Sequence, residues 1–160
     1  MEEAKQDLTD FKSYLVPPHK KKSKEVTEKD LPRLINESHI LYNLCYMQVG
    51  PIPGSFAVHH SQIDNKNPLN FFVTQEKGII INPIIIRHTK VPIIKIEGCL
   101  SFPDRPPIKV QRFHKIEVEC SILTPEGTIG AREIKKLSGR DAQIYQHEIL
   151  HGQGKLIYSI

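Results

Sequence analysis

The chain reads as an α+β domain, with antiparallel β-sheets packed around a central buried helix and one further helix toward the N-terminus. Three observations predict this. Apolar residues recur at helical spacing in two separate stretches, near 30–48 and 138–151. The segment between them, from 69 to 134, is rich in β-branched residues broken by Pro and Gly. No internal repeat, linker or low-complexity tract divides the 160 residues, which fit one domain spanning 1–160.

Residues 1–14 are polar and expected to be loosely held. Leu15-Val16-Pro17-Pro18 reads as extended, because a residue before Pro is biased away from the helix. Thr27-x-x-Asp30 has the form of a capping box, and Leu31, Leu34, Ile35, Leu41, Leu44 and Cys45 behind it give a helix over about 30–48. Gly50-Pro51-Ile52-Pro53-Gly54 stops that helix in a turn.

Leu69–Val73 reads as a strand, and 78–86 as another, bent where Pro83 interrupts it. A third leads from Pro92 into Glu97. Residues 108–123 alternate, with Ile116, Val118, Cys120 and Ile122 on one side, and pair through a turn at Thr124–Gly127 with 128–134. Ser138-Gly139-Arg140-Asp141 opens the second helix, Gly152 and Gly154 end it, and 155–160 is read as a last short strand.

Composition narrows the classes. An apolar fraction of 39% and a charged fraction of 25% suit a globular chain. No apolar run approaches the ~18 residues of a membrane span, and the acidic N-terminus resembles neither a signal nor a transit peptide, so the cytoplasm is expected. Three cysteines, Cys45, Cys99 and Cys120, cannot pair completely. Cys45 and Cys120 fall on apolar stripes and read as core. Net charge is +4, with Lys20, Lys21, Lys22 and Lys24 clustered. That run is either a solvated loop or a contact for phosphates, ribosomal RNA for instance.

The second helix carries Gln146-His147-Glu148-Ile149-Leu150-His151. Residues four apart share a helix face, so His147 and His151 present two imidazoles to one point, as a tetrahedral metal site needs. Glu148 sits round the helix, where it can act on a water without being a ligand. The alternative is a half-exposed helix with two unrelated histidines. A metal site needs a third ligand. Only nine residues follow His151, and none is Asp, Glu, His or Cys. The ligand must come from upstream, and Cys99 in Glu97-Gly98-Cys99-Leu100-Ser101 supplies it.

With those two motifs in this order the chain resembles the peptide deformylases. Ile81-Asn82-Pro83, Pro103, Arg112, Pro125-x-Gly127 and Gly154-x-Leu156 fall in the family's order as well. The likeness covers about residues 50–160. It implies a metal-dependent hydrolase that removes the formyl group from N-terminal formylmethionine of new polypeptides. One divalent ion would be held by Cys99, His147 and His151, with Fe(II) as the native metal and Zn or Ni as alternatives after purification. Glu148 would be the base, and Gln62 with the Leu100 backbone N–H the oxyanion donors. Phe56, Ala57, His60, Gly98 and Ile144 would line the substrate cleft, with Glu97 and Arg112 as a supporting ion pair. The expected partners are the formyl-Met peptide and, through Lys20–Lys24, the ribosome. No membrane partner is expected, and the protein should be a monomer. The setting would be bacterial cytoplasm, or host cytoplasm for a phage-encoded chain.

The likeness departs in two places. The family's first motif is approximately G-Φ-G-Φ-A-A-x-Q, with Φ apolar. Here it reads Ser55-Phe56-Ala57-Val58-His59-His60-Ser61-Gln62, losing both glycines and both alanines. If this segment is extended, His60 shares the face of Gln62 and approaches the cleft, while His59 points into the body or to solvent. The chain also ends at Ile160, without the C-terminal helix of many bacterial relatives, and in length resembles phage-encoded members.

Overall fold

The computed structural model describes residues 11, 13–47, 56–76 and 78–160. The turn expected at Gly50–Gly54 and most of residues 1–14 lie outside the described residues. Two helices, α1 (Leu31–Cys45) and α2 (Gly139–Gly152), accompany seven strands. The strands are β1 (Ala57–His59), β2 (Phe71–Thr74), β3 (Ile79–His88), β4 (Ile93–Glu97), β5 (Ile108–Arg112), β6 (Lys115–Ile122) and β7 (Glu133–Ser138). A five-stranded antiparallel sheet runs β1-β2-β3-β6-β7, and β4 and β5 form a separate two-stranded sheet.

Strands β1 and β2 and the start of β3 are covered on both faces. Side chains alternate across a strand, so neighbours in sequence enter different cores. Val58, Phe71, Val73 and Ile81 pack with Leu34, Leu41 and Leu44 of α1. Ala57, Phe72 and Ile80 pack with Ala142, Tyr145 and Ile149 of α2. This accounts for the unbroken apolar run in β2, whose Phe71, Phe72 and Val73 are all buried. A third, smaller cluster joins Cys99, Phe102 and Tyr158.

Thr27 and Asp30 do close a capping box, with the Thr27 N–H donating to Asp30 Oδ2 at 2.9 Å. It opens a 3-10 turn that runs into α1. The helix stops at Cys45, short of the expected 48. Cys45 and Cys120 are fully buried, and burial pushes the Cys45 thiol up to about 12.

The expected break at Pro83 is a register shift between Ile81 and Ile84 within one strand. Asn82 takes φ +52 there, a region Asn tolerates, and its side chain holds both the N–H and the C=O of Val26. Arg132 donates to the Ile81, Asn82 and Glu119 carbonyls around the bulge.

Four expectations need correction. The strand pairing with β6 is Glu133–Ser138 and not 128–134, where only an isolated bridge joins Leu123 to Ile129. Residues 108–123 are not one strand, because the chain turns at Phe113–His114 and β5 and β6 join different sheets. Residues 155–160 form no strand. Tyr158 instead packs on Phe102 and donates its hydroxyl to the Pro106 carbonyl at 2.6 Å. Ser138 precedes α2 as expected, but its side chain caps nothing, and the Gly139 N–H goes to His114 O at 3.0 Å.

Leu41 is fully buried against the α1 face of the sheet, whereas Ile86 is 42% exposed. Leu41→Ala should therefore cost about 2–5 kcal/mol of unfolding free energy. Ile86→Ala should stay within about 0.5 kcal/mol of the parent. Urea midpoints measure both, and equal losses would contradict the assigned core.

Candidate metal centre and its pocket

Helix α2 brings His147 and His151 together, and the end of β4 brings Cys99 to them. His151 Nε2 lies 3.2 Å from His147 Nε2 and 3.4 Å from Cys99 Sγ. All three donor atoms fall within 4.8 Å of one another. One thiolate and two imidazoles suit zinc or ferrous iron.

The ring of His147 is fixed from behind. Its Nδ1–H donates to Glu97 Oε1 at 2.9 Å, which aims Nε2 at the other two donors. Arg112 grips the same carboxylate with two bonds, Nε to Oε2 at 2.9 Å and Nη2 to Oε1 at 2.7 Å. Glu97 is buried, which alone would raise its pKa, yet His147 and Arg112 hold it below the usual carboxylate range.

The surroundings favour positive charge at this point. Burial opposes a charged His147, but contacts with Cys99 and Glu97 hold its pKa up at about 10. Burial raises Glu148 to about 7, and its Oε1 is buried with no hydrogen-bond partner in the protein. Three converging ligand atoms, an anionic orienting group and an unpartnered carboxylate oxygen together fit a bound divalent cation.

Gln146 anchors α2 without facing the centre. Its carboxamide accepts from Phe113 N and donates to Phe113 O, both at 2.8 Å, fixing the corner between β5 and β6. The sequence marks Gln146 only as part of the motif, and nothing local reveals this use.

A cavity of about 330 Å³ opens beside the donors. It is lined by Phe56, Ala57, Gln62, Glu97, Gly98, Cys99, Leu100, Ile144, His147 and Glu148 among the residues singled out in the sequence. Ile96, Arg140 and Gln143 also line it, and the sequence reading missed them. Arg140 and Gln143 lie two turns and one turn before His147 on α2, a spacing that could have found them. The Arg140 guanidinium sits 4.9 Å over the Phe56 ring.

The expected facing of His60 is wrong, while His59 is buried in the body, one of the two positions expected for it. His60, Ser61 and Gln62 form a 3-10 turn and not an extended strand. His60 is fully buried on the α1 side, stacked on Phe71 at 4.9 Å, and does not line the cavity. His59 is the ring nearer the centre, stacked behind His151 at 6.3 Å. Its Nδ1 accepts from Ser61 N at 3.0 Å and its Nε2 reaches Asn70 Oδ1 at 3.3 Å. A Cβ on Gly152 would lie 2.4 Å from Asn70 Oδ1 and 3.1 Å from His59 Nε2, so only glycine lets α2 end against this ring. Neither imidazole obstructs the cavity.

Glu97→Gln should weaken zinc binding by about 10–100-fold, since the amide loses the charge that orients His147. Competition with a chromophoric chelator reads this directly. Unchanged affinity in the folded variant would mean that Glu97 serves only Arg112.

The chain matches the polypeptide deformylase family model over residues 12–159. It is similar to the chloroplastic peptide deformylase 1B of Oryza sativa at 33% identity over 92 residues, 58% of this chain. Similarity to peptide deformylase 2 of Bacillus anthracis is 31% over 114 residues, 69% of this chain. Those matches span 32% and 54% of the two relatives' own lengths. Among solved structures, the deformylase of Vibrio parahaemolyticus bacteriophage VP16T, in complex with actinonin, superposes with a TM-score of 0.70 at 25% identity, covering 89% of this chain and 95% of that one. The Thermotoga maritima enzyme gives 0.68 at 26%, covering 86% of each. With the family model covering nearly the whole chain and the metal-ligand geometry assembled from both motifs, this protein belongs to the peptide deformylase family.

Proposed function

We propose that this protein hydrolyses the N-formyl group from the N-terminal formylmethionine of newly made polypeptides, releasing formate. One observation carries the reading. Two of the three converging donors, Cys99 and His147, line the same cavity as Glu148 and Gln62, with His151 directly behind them.

Cys99, His147 and His151 would hold one divalent ion, ferrous iron natively and zinc or nickel after purification. When bound, that ion supplies Lewis acidity, polarising a carbonyl and acidifying water. Glu148 takes the proton from the attacking water and returns it to the departing amine nitrogen. Its raised pKa, about 7, suits both directions of transfer near neutrality. Gln62 uses its Oε1 to accept from His59 N at 2.9 Å and one Nε2–H to reach Ser101 Oγ at 3.0 Å. The second Nε2–H remains for the oxyanion, together with the Leu100 backbone N–H. Phe56, Ala57, Gly98 and Ile144 receive the methionyl end of the peptide.

The protein acts as a cytoplasmic monomer in this reading. Among the described residues, no helix is long and apolar enough to cross a membrane. Contact with the ribosome would use the lysine run. Lys24 is partly engaged by Asp30 at 3.3 Å and Lys21 by the Lys66 carbonyl, while Lys20 and Lys22 stand exposed.

Glu148→Gln should retain the metal and lose formate release from formyl-Met-Ala-Ser by about 10²-fold or more. Metal analysis of the purified variant accompanies the assay. Activity within a few-fold of the parent would remove Glu148 from the role of base.

A further inference from the structure

The turn that carries Gln62 is tied to α1 through one imidazole. His60 Nδ1 accepts the Leu69 N–H at 2.8 Å, so that nitrogen carries no proton. Its Nε2–H therefore donates to Glu37 Oε1 at 3.1 Å. Arg33 holds the other oxygen, Nε to Glu37 Oε2 at 2.9 Å, and also binds Asp64 Oδ2. Asp64 Oδ1 accepts from Lys66 N at 2.9 Å and Asn67 N at 2.7 Å.

Glu37, His60 and Asp64 come within 4.8 Å of one another and have the composition of a second metal site. Each of their ligand atoms already has a donor or acceptor, and Arg33 supplies the cation. The cluster is a closed strut between the helix and the turn.

We infer that His60 is a positioning residue for Gln62, fixing through the strut to α1 the direction in which the Gln62 carboxamide faces the cavity. The inference rests on the deformylase reading for its effect on rate. The connection is short. His60 O accepts from Ile63 N and Asp64 N at 3.0 and 3.1 Å, closing the turn around Gln62. The carboxamide is pinned at its oxygen by the His59 N–H at the turn's entry. His60 points into the α1 core while Gln62, two residues on, lines the cavity. In a turn of three residues, release of the ring lets the backbone rotate and carries the amide with it.

A double-mutant cycle with Gln62 separates positioning from general destabilisation. Rates are measured on formyl-Met-Ala-Ser for the parent, Gln62→Ala, His60→Ala and the double variant. Gln62→Ala should lower kcat by about 10²-fold. His60→Ala should lower kcat by about 10-fold at nearly constant KM, because the lost interaction acts in the transition state. The double variant should be no slower than Gln62→Ala. Multiplying effects, or a change confined to KM, would overturn the inference.

The side-chain amide of Gln62 gives a readout independent of turnover. In 15N-labelled protein its two N–H signals should shift and broaden in His60→Ala, and also in Glu37→Ala, which cuts the strut at its more exposed end and serves if His60→Ala does not fold. Unchanged Gln62 signals in folded Glu37→Ala would also overturn it. Formate release absent from the parent would instead sink the deformylase reading, and the amide signals would still decide the role of His60.

Discussion

The carboxylate of Glu97 is the joint on which the metal-ligand end of the molecule depends. It accepts from Arg112 twice and from His147 once, all within 2.9 Å, and is 8% exposed. Burying such a charge is costly unless every lone pair is met, and removing one partner typically costs about 3–5 kcal/mol. Here the partners come from three places. Glu97 ends β4, Arg112 ends β5, and His147 lies on α2. The ion pair ties the two strands of the small sheet to each other, and the bond to His147 ties that sheet to α2. Cys99 follows two residues later. One short segment thus supplies one candidate donor and also the group that aims another.

The large sheet does a different task. Because β1 and β2 are buried on both faces, they form a wall with α1 on one side and α2 on the other. The metal donors sit on the α2 side. The Gln62 turn leaves β1 at its edge, where one residue can reach the cavity and its neighbour can reach α1.

Much of this was legible in the sequence. Period 3.6 gave both helices, and the four-residue spacing of His147 and His151 gave their convergence, because both depend only on local backbone geometry. Cys99 became a candidate ligand by its motif and by the lack of any donor after His151, and its Sγ does converge on the two imidazoles. What failed was tertiary. Alternation placed His60 beside Gln62, but a 3-10 turn advances about 120° per residue, so residues two apart no longer share a face. The corner at Phe113–His114 is set by Gln146, distant in sequence. The strut from Arg33 through Glu37 to His60 spans α1 and the turn, and no local pattern encodes it.

The replacement of two small residues by His59 and His60 is accommodated by neutrality. A neutral imidazole has one donor and one acceptor, and each ring finds one of each. His59 meets Ser61 N and Asn70 Oδ1, and His60 meets Leu69 N and Glu37 Oε1. Burial drives the His59 pKa down to about 3 and lowers that of His60, so both rings stay uncharged at neutral pH. For His59 this matters beyond its own solvation. Its ring stacks behind His151, and a proton there would set a positive charge against the position of the divalent ion. The polar core on this side is therefore compatible with the metal centre only because its hydrogen bonds satisfy the rings without charging them.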